Sequence, residues 1–346
     1  MNRLIAVAFA AFVVTISTIA AQAQTADEFF RNRKEITILV GSVPGGSYDA
    51  YSRAAGRYMS KYLPGNPNFV INNMPGGGGI CAANFLYNVA PKDGSVIMIM
   101  ARSLPTAPLL YGEESKAQFD TVKFNWIGSM VKEMGMGAVS NRSPAKTLED
   151  MKKHEVVLGA SGIETDPAMF ARMFNYLYGT KFKVIAGYQG QAEVLGAVEK
   201  GELHGLFLSG WSGTGRAFVR DHITSAQWTI FVQMGLEKDP EFPNIPTVMD
   251  VIKDPKDHAA LNFLFSRQIL GEPFAAPPDM AADRVAMLRN AFRKALEDKA
   301  LWDEMERQRF LLSPVFGEDA QRIMGELMAT PPEVIERAKT LVKIGL

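Results

Sequence analysis

Ile36-Thr37-Ile38-Leu39-Val40-Gly41-Ser42-Val43-Pro44-Gly45-Gly46-Ser47-Tyr48-Asp49 reads as a buried strand, a glycine turn and the start of a helix. Phe69-Val70-Ile71-Asn72-Asn73-Met74-Pro75-Gly76-Gly77-Gly78-Gly79 repeats the arrangement further along the chain. Glycine lets the backbone approach a ligand closely, and the free N–H groups of a helix's first turn attract negative charge. Two such turns on neighbouring strands make a candidate cradle for a small anion such as a carboxylate.

After the first turn, the apolar pairs Ala50/Tyr51, Ala54/Ala55, Tyr58/Met59 and Tyr62/Leu63 recur at helical spacing. Ser47 or Asp49 can cap this helix, and Asp49 precedes Arg53 by the spacing of a favourable helical pair. Residues 79–90 form a second helix stopped by Pro91, and Val96-Ile97-Met98-Ile99-Met100 is a third strand. Strand and helix alternate with short connections, which predicts a mainly parallel sheet covered on both faces.

The pattern then repeats more loosely. A strand at 155–158 meets the turn Gly159-Ala160-Ser161-Gly162, and Thr165 or Asp166 caps a helix that starts with Pro167 and ends at Gly179. A strand at 182–185 leads to Gly187-Tyr188-Gln189-Gly190 and a helix to Lys200, and Leu206-Phe207-Leu208 meets Ser209-Gly210-Trp211-Ser212-Gly213. Residues 227–233 form a further strand, able to carry the chain back toward the first lobe. Helical periodicity fills 279–296, 301–309, 317–328 and 331–342. The fold class is α/β with two lobes, and ligands in open α/β sheets bind at the carboxyl ends of the strands.

The N-terminus stands apart. Arg3, the apolar residues 4–20 and Ala21-Gln22-Ala23 read as a secretory signal with its cleavage site, against the alternative of an uncleaved anchor helix. The chain therefore divides into a signal peptide at 1–23, the first part of lobe 1 at 24–128, lobe 2 at 129–228, and a return to lobe 1 plus C-terminal helices at 229–346.

Composition removes several function classes. The chain has 346 residues, and its 37 basic and 37 acidic residues balance, which argues against nucleic acid as a main partner. Cys81 is the only cysteine, so neither an internal disulfide nor a thiolate metal cluster can form. Of the four histidines, His154 and His258 lie in charged stretches and His222 follows Asp221 at a helix end. His204 lies in a strand, where a structural hydrogen bond fits better than general-base work. No spacing marks a metal site, no G-x-S-x-G elbow is complete, and neither glycine turn has full dinucleotide or P-loop spacing. The reading is no enzyme, no cofactor and no metal.

Pro44-Gly45-Gly46-x-x-Asp49, Asn73-x-Pro75-Gly76-Gly77-x-Gly79 and Pro91-x-Asp93-Gly94, each beside a strand, carry a resemblance. With Tyr188-x-Gly190, Pro243-x-Ile245-Pro246-Thr247 and the helix after Pro277-Pro278, they resemble the extracytoplasmic solute receptors of the tripartite tricarboxylate transporter family, often called Bug receptors. The resemblance runs from about residue 36 to the C-terminal helices. It implies a periplasmic-binding-protein fold, each lobe a mainly parallel sheet flanked by helices, with the ligand cleft between lobes. It also implies a periplasmic receptor, expected to be a monomer, that closes on a small organic acid and passes it to a two-subunit membrane permease. A receptor that presents its closed form to a membrane sensor is the alternative, and an exported α/β enzyme acting on an organic acid stands third.

In the family, backbone N–H groups and small hydroxyls hold the ligand carboxylate. Carried onto this chain, the resemblance points to Gly45, Gly46, Ser47, Tyr48, Gly76, Gly77 and Gly78 from the first lobe, with Ser103 past the third strand. The second lobe supplies Ser161, Gly162, Thr165, Tyr188, Gln189 and Gly190, and Tyr48 and Trp211 are candidate cleft walls. A carboxylate beside an anion site would repel the ligand, so Asp49 is assigned to capping and to the Arg53 pair. The second lobe departs from the family pattern at Glu164-Thr165-Asp166-Pro167, and at Leu208 before Ser209-Gly210-Trp211. Two acidic residues there raise the electrostatic cost of a highly charged ligand. That favours a monocarboxylate, with an aromatic or amino group facing Trp211 or Glu164, over citrate.

Overall fold

Strand β1 (Glu35–Val40) sends alternate side chains into two separate cores, as the pleat of a strand requires. Ile36, Ile38 and Val40 pack with Tyr51, Ala54 and Met59 of the Ser47–Ser60 helix, whereas Leu39 joins Ile80, Ala83 and Leu86 on the other face. The computed structural model describes residues 24–163 and 165–345. The signal peptide read at 1–23 and the acidic residue Glu164 lie outside the described residues.

From β1 the chain continues through β2 (Asn68–Asn73), β3 (Val96–Ile99) and β4 (Asn125–Ser129). It then crosses to β5 (Gly135–Ser140), β6 (Val156–Ala160), β7 (Phe182–Ala186), β8 (Gly205–Leu208) and β9 (Trp228–Met234). It returns as β10 (Pro273–Ala276) and ends its strands with β11 (Val315–Phe316). Two sheets result, in the orders β11-β4-β10-β3-β1-β2 and β7-β6-β8-β5-β9. β1, β2 and β3 are parallel, and β10 inserts antiparallel between β3 and β4. In the second sheet β6, β7 and β8 are parallel, and β5 runs against both β8 and β9. Helices flank both sheets, giving a two-lobed α/β fold.

The return strand differs from expectation. Trp228–Met234 pairs along β5 from Gly135 to Ser140, so it belongs to the second sheet. Ile230 and Val232 are buried there, and that apolar face holds the strand in the second lobe. The expected boundary at residue 228 thus falls at the start of a second-lobe strand, and the chain rejoins the first sheet at β10.

The second core is aromatic. Phe207 stacks on Phe174 with centroids 6.0 Å apart and meets Phe170, Phe182 and Phe231 at 5.8, 5.7 and 5.5 Å. Gly137 makes room for them, since a Cβ there would lie 2.4 Å from the Phe231 ring. His204 accepts a hydrogen bond at Nδ1 from Val157 N–H at 3.0 Å. The Ala282–Glu297 and Lys299–Arg307 helices pack on the Ser47–Ser60 helix, and Gly317–Met328 packs on β4. The last helix, Pro332–Lys343, meets Pro255–Ser266 and also touches Asp166–Tyr178 of the second lobe.

Candidate functional site

Several helices begin where the two sheets face each other. Ser47 opens the Ser47–Ser60 helix after Gly46, Asp166 opens Asp166–Tyr178 after Thr165, and Gln191 opens Gln191–Lys200 after Gly190. Gly78 lies in the Gly77–Gly79 turn that leads into Ile80–Asn88. None of these starts has a side-chain hydrogen bond from its cap residue. By contrast Thr25, Thr247, Asp254 and Asp298 do cap their helices. An uncapped first turn keeps N–H donors free and carries partial positive charge. Three C-terminal helices are also uncapped, so the distinguishing feature is convergence: Ser47, Gly78, Asp166 and Gln191 line one interlobe cleft.

The two glycine turns are held back to back. Gly41 and Gly79 approach so closely that a Cβ on Gly41 would lie 2.6 Å from the Gly79 Cα. Asp49 ties the turns together. Its carboxylate accepts from Gly45 N–H at 3.1 Å and Asn73 Nδ2 at 3.3 Å, and pairs with Arg53 at 3.0 Å. Burial opposes its charge, but Arg53, Gly45 and Asn73 outweigh it and hold the carboxyl below its usual value. Asp49 thus secures the turn before the helix and leaves the first-turn amides open.

The cleft has two adjoining chambers of ≈ 510 and ≈ 170 Å³, which share Ser103, Asp166, Gln191 and Ser209. Of the expected contacts, Gly78, Ser103, Ser161 and Thr165 line the larger chamber, and Ser47, Tyr48 and Ser103 the smaller. Gly45, Gly46, Gly76 and Gly77 are not part of this lining. Gly45, Gly76 and Gly77 have φ of 94°, 147° and 54°, which shapes the turns that present Ser47 and Gly78. Gly162, Tyr188, Gln189 and Gly190 also fall outside the lining. Gly162 accepts from Thr165 Oγ1 at 2.7 Å, Gln189 N–H is bound to the Glu193 carboxylate, and Tyr188 packs with the apolar cluster around Trp211.

Trp211, expected as a cleft wall, is corrected by its burial. It is 1% exposed, packs edge-on against Phe242 with centroids 5.3 Å apart, and lines a separate cavity. Asp166 does reach the cleft, but Arg267 Nη2 lies 3.0 Å from its carboxylate and offsets its charge.

Sequence reasoning missed the charged base of the smaller chamber. Arg102, just past β3, donates from Nε to Gly271 O at 3.2 Å and from Nη1 to Ser209 O at 2.9 Å. Its Nη2 lies 3.7 Å from Glu133 and 3.8 Å from Glu272. Glu133 accepts from the N–H groups of Met134, Trp211 and Ser212 at 2.9, 2.7 and 2.9 Å. Glu272 is fully buried, and burial pushes its pKa up to about 8, with Arg102 acting the other way. Tyr48 accepts from Arg102 N–H at 3.1 Å, and burial pushes its phenol up to about 12. Burial disfavours the charge on Arg102, but Tyr48, Glu133 and Glu272 more than compensate. The only sequence signal was the position of Arg102-Ser103 at a strand end. Among the described residues no group of His, Cys, Asp and Glu is placed to hold a metal ion.

The profile of a family described as tripartite tricarboxylate transporter family receptor, TctC, matches residues 52–340. No curated protein matches the sequence significantly. Among solved structures, a TctC solute binding protein from Polaromonas is 20% identical, with a TM-score of 0.64 over 88% of this chain and 98% of its own. MatC from Rhodopseudomonas palustris, with bound malate, is 18% identical, with a TM-score of 0.60 over 89% and 99%. A further R. palustris protein, with adipate, is 16% identical, with a TM-score of 0.62 over 88% and 97%. At these identities the structures bear on the fold alone.

Proposed function

The chain belongs to the tripartite tricarboxylate transporter receptor family, and we propose that it captures a small organic carboxylate between its lobes and delivers it to a tripartite-type membrane permease. Family and fold are those of solute-binding receptors, not enzymes. The observation that carries the reading is the convergence of uncapped helix starts with the hydroxyls of Ser47, Ser103, Ser161 and Thr165 on one interlobe cleft. Amide N–H groups and small hydroxyls are the donors that suit a carboxylate. The same reading has the protein exported by residues 1–23 and working in the periplasm as a monomer. No helix among the described residues is long and apolar enough to cross a membrane.

The charge at the cleft favours few carboxylates per ligand. Arg102 and Arg267 offset Glu133 and Asp166, and Glu272, with its pKa near 8, carries a proton at neutral pH. One carboxylate can be met by the amide and hydroxyl donors. Three would bring unbalanced charge into a partly desolvated cleft. The relatives holding malate and adipate make acids of that size a sensible extension of the panel, with monocarboxylates placed first.

Thermal unfolding of the mature protein against mono- and dicarboxylates and citrate tests the reading. At least one mono- or dicarboxylate should raise Tm as its concentration passes Kd, and Ser103→Ala or Ser161→Ala should reduce the shift. If no acid shifts Tm, the receptor reading fails; if citrate alone does, the preference for few carboxylates fails.

A further inference from the structure

We propose that Arg102 touches the ligand directly: its Nη2 takes the carboxylate in the smaller chamber, and an uncharged tail of the ligand extends into the larger one. This rests on the receptor reading above and gives the ligand an orientation. Arg102 lines the smaller chamber, with its side chain 10% exposed. Nε and Nη1 are taken by Gly271 O and Ser209 O, and the guanidinium lies over the Tyr48 ring, 5.9 Å from its centroid. Nη2 has no hydrogen-bond partner among the described residues, yet it is not sealed off as both Glu272 oxygens are. It lies 3.4 Å from where a Cβ on Gly210 would stand, and Gly210 lines the same chamber. A guanidinium fixed along two edges thus offers its remaining donor to the chamber, with little side-chain freedom left to lose.

The neighbouring acids do not consume that donor. Glu133 is 3.7 Å from Nη2, beyond hydrogen-bond distance. Its oxygens already accept from the N–H groups of Met134, Trp211 and Ser212 and from Ser212 Oγ. Glu272 is 3.8 Å away, and burial keeps it protonated at neutral pH. With Glu272 neutral, Arg102 cancels Glu133 and Arg267 cancels Asp166, so one ligand carboxylate meets no net negative charge. The hydroxyls of Ser47 and Ser103 line the same chamber and can donate to that carboxylate.

The larger chamber sets the tail. Ala160, Pro167, Val194 and Phe207 line it together with Ser161 and Thr165. Among its described lining residues Asp166 is the only charged one, so a second carboxylate there finds no cation on the wall. An aliphatic chain with a hydroxyl at its far end suits both kinds of wall.

Glu272 acts as a positioning residue for the donor. It faces Arg102, Glu133, Tyr48 and Tyr51, with the Ser47 hydroxyl also beside it. Burial raises both phenols, which stay neutral where Glu272 loses its proton. Once ionised, Glu272 competes for Nη2 and adds a negative charge. Acid affinity therefore falls as pH rises through the Glu272 pKa of about 8.

Calorimetry of the mature protein with ω-hydroxyhexanoate, its amide and adipate tests the orientation. The hydroxy acid should bind roughly tenfold or more tighter than its amide and than adipate. Arg102→Met should weaken the acid roughly tenfold or more and the amide far less, whereas a purely structural arginine would cost both equally. If urea unfolding shows that Arg102→Met does not fold, Arg102→Lys, which keeps the charge but loses the fork, should narrow the acid–amide gap. Acid affinity should fall severalfold between about pH 7 and about pH 9 in the wild type and stay level in Glu272→Gln. Equal losses of acid and amide, or a gap unmoved in the folded variant, overturns the contact. Adipate binding as tightly as the hydroxy acid overturns the uncharged tail, and a level wild-type pH profile overturns the role of Glu272. If none of the three binds, contact and orientation both fall; the receptor reading stands if another acid raises Tm and fails if none does.

Discussion

Arg102 Nη1 donates to the carbonyl oxygen of Ser209 at 2.9 Å, so a guanidinium rooted past β3 of one sheet is bonded to the end of β8 in the other. The same side chain sits beside two buried carboxyls, Glu133 and Glu272, and is itself only 10% exposed. Arg102 is therefore both an interlobe tie and the cation that makes burial of Glu133 tolerable.

Removing it should show both roles. Arg102→Met leaves Glu133 buried without its cation and should lower unfolding free energy by about 3 kcal/mol. It should also weaken carboxylate binding, because the bond that ties the two lobes at Ser209 is lost. Arg102→Lys should recover part of the stability but not the paired bonds to Gly271 and Ser209. Urea unfolding beside ligand titration separates the effects. A fully stable Arg102→Met protein would show that Glu133 does not depend on this cation.

Glu272 predicts an unusual pH dependence. Burial pushes its pKa from 4.5 to about 8, so the folded protein holds a proton that the unfolded chain has released. Between those values the native state binds more protons than the unfolded state, and this group's contribution to stability falls as pH rises. Glu272→Gln keeps the shape and cannot ionise. Its urea midpoint should fall less than that of the wild type between about pH 5 and about pH 8. Parallel pH profiles would place the Glu272 pKa near its ordinary value.

How legible this was in the sequence depended on how local the signal was. The β1 turn, the Asp49–Arg53 pair and the C-terminal helices were readable because period, spacing and turn chemistry act within a few residues. The charged base was not. Arg102, Glu133 and Glu272 come from three segments brought together only by the lobe crossings and by β10 inserting between β3 and β4. Trp211 was misplaced for a related reason. A position just past a strand end does not reveal which way the side chain turns, and Phe242, from a distant loop, covers the ring. The Asp166–Arg267 pair was equally invisible, so the charge of the second jaw was overestimated.

Asp49 should matter more than its partner. Its side chain is 7% exposed and serves Gly45, Asn73 and Arg53, whereas Arg53 is 48% exposed. Asp49→Ala should cost about 1–2 kcal/mol, and Arg53→Ala no more than about 0.5 kcal/mol. The folded carboxyl titrates below its usual value, so this stability is present above the ordinary aspartate pKa and fades as acid reaches the folded one. Urea midpoints of both variants at neutral and acid pH check the ranking. Equal losses would mean that the ion pair, rather than the bonds to the turns, is what Asp49 supplies.

Gly46 allows stability and binding to be moved in opposite directions. It sits at φ −85° and ψ 178°, which any residue can adopt, and a Cβ there would meet nothing within 4 Å. An aspartate at this N-cap can accept from the first turn, so stability should hold or rise by roughly a few tenths of a kcal/mol. The same carboxylate would occupy free N–H donors and place negative charge next to Ser47 on the cleft wall. Affinity for the acid should then fall roughly tenfold or more. Gly46→Ser caps without charge and should lose far less. Calorimetry paired with thermal unfolding reads both quantities on each variant, and unchanged affinity in a well-folded Gly46→Asp protein would exclude this helix start from the binding site.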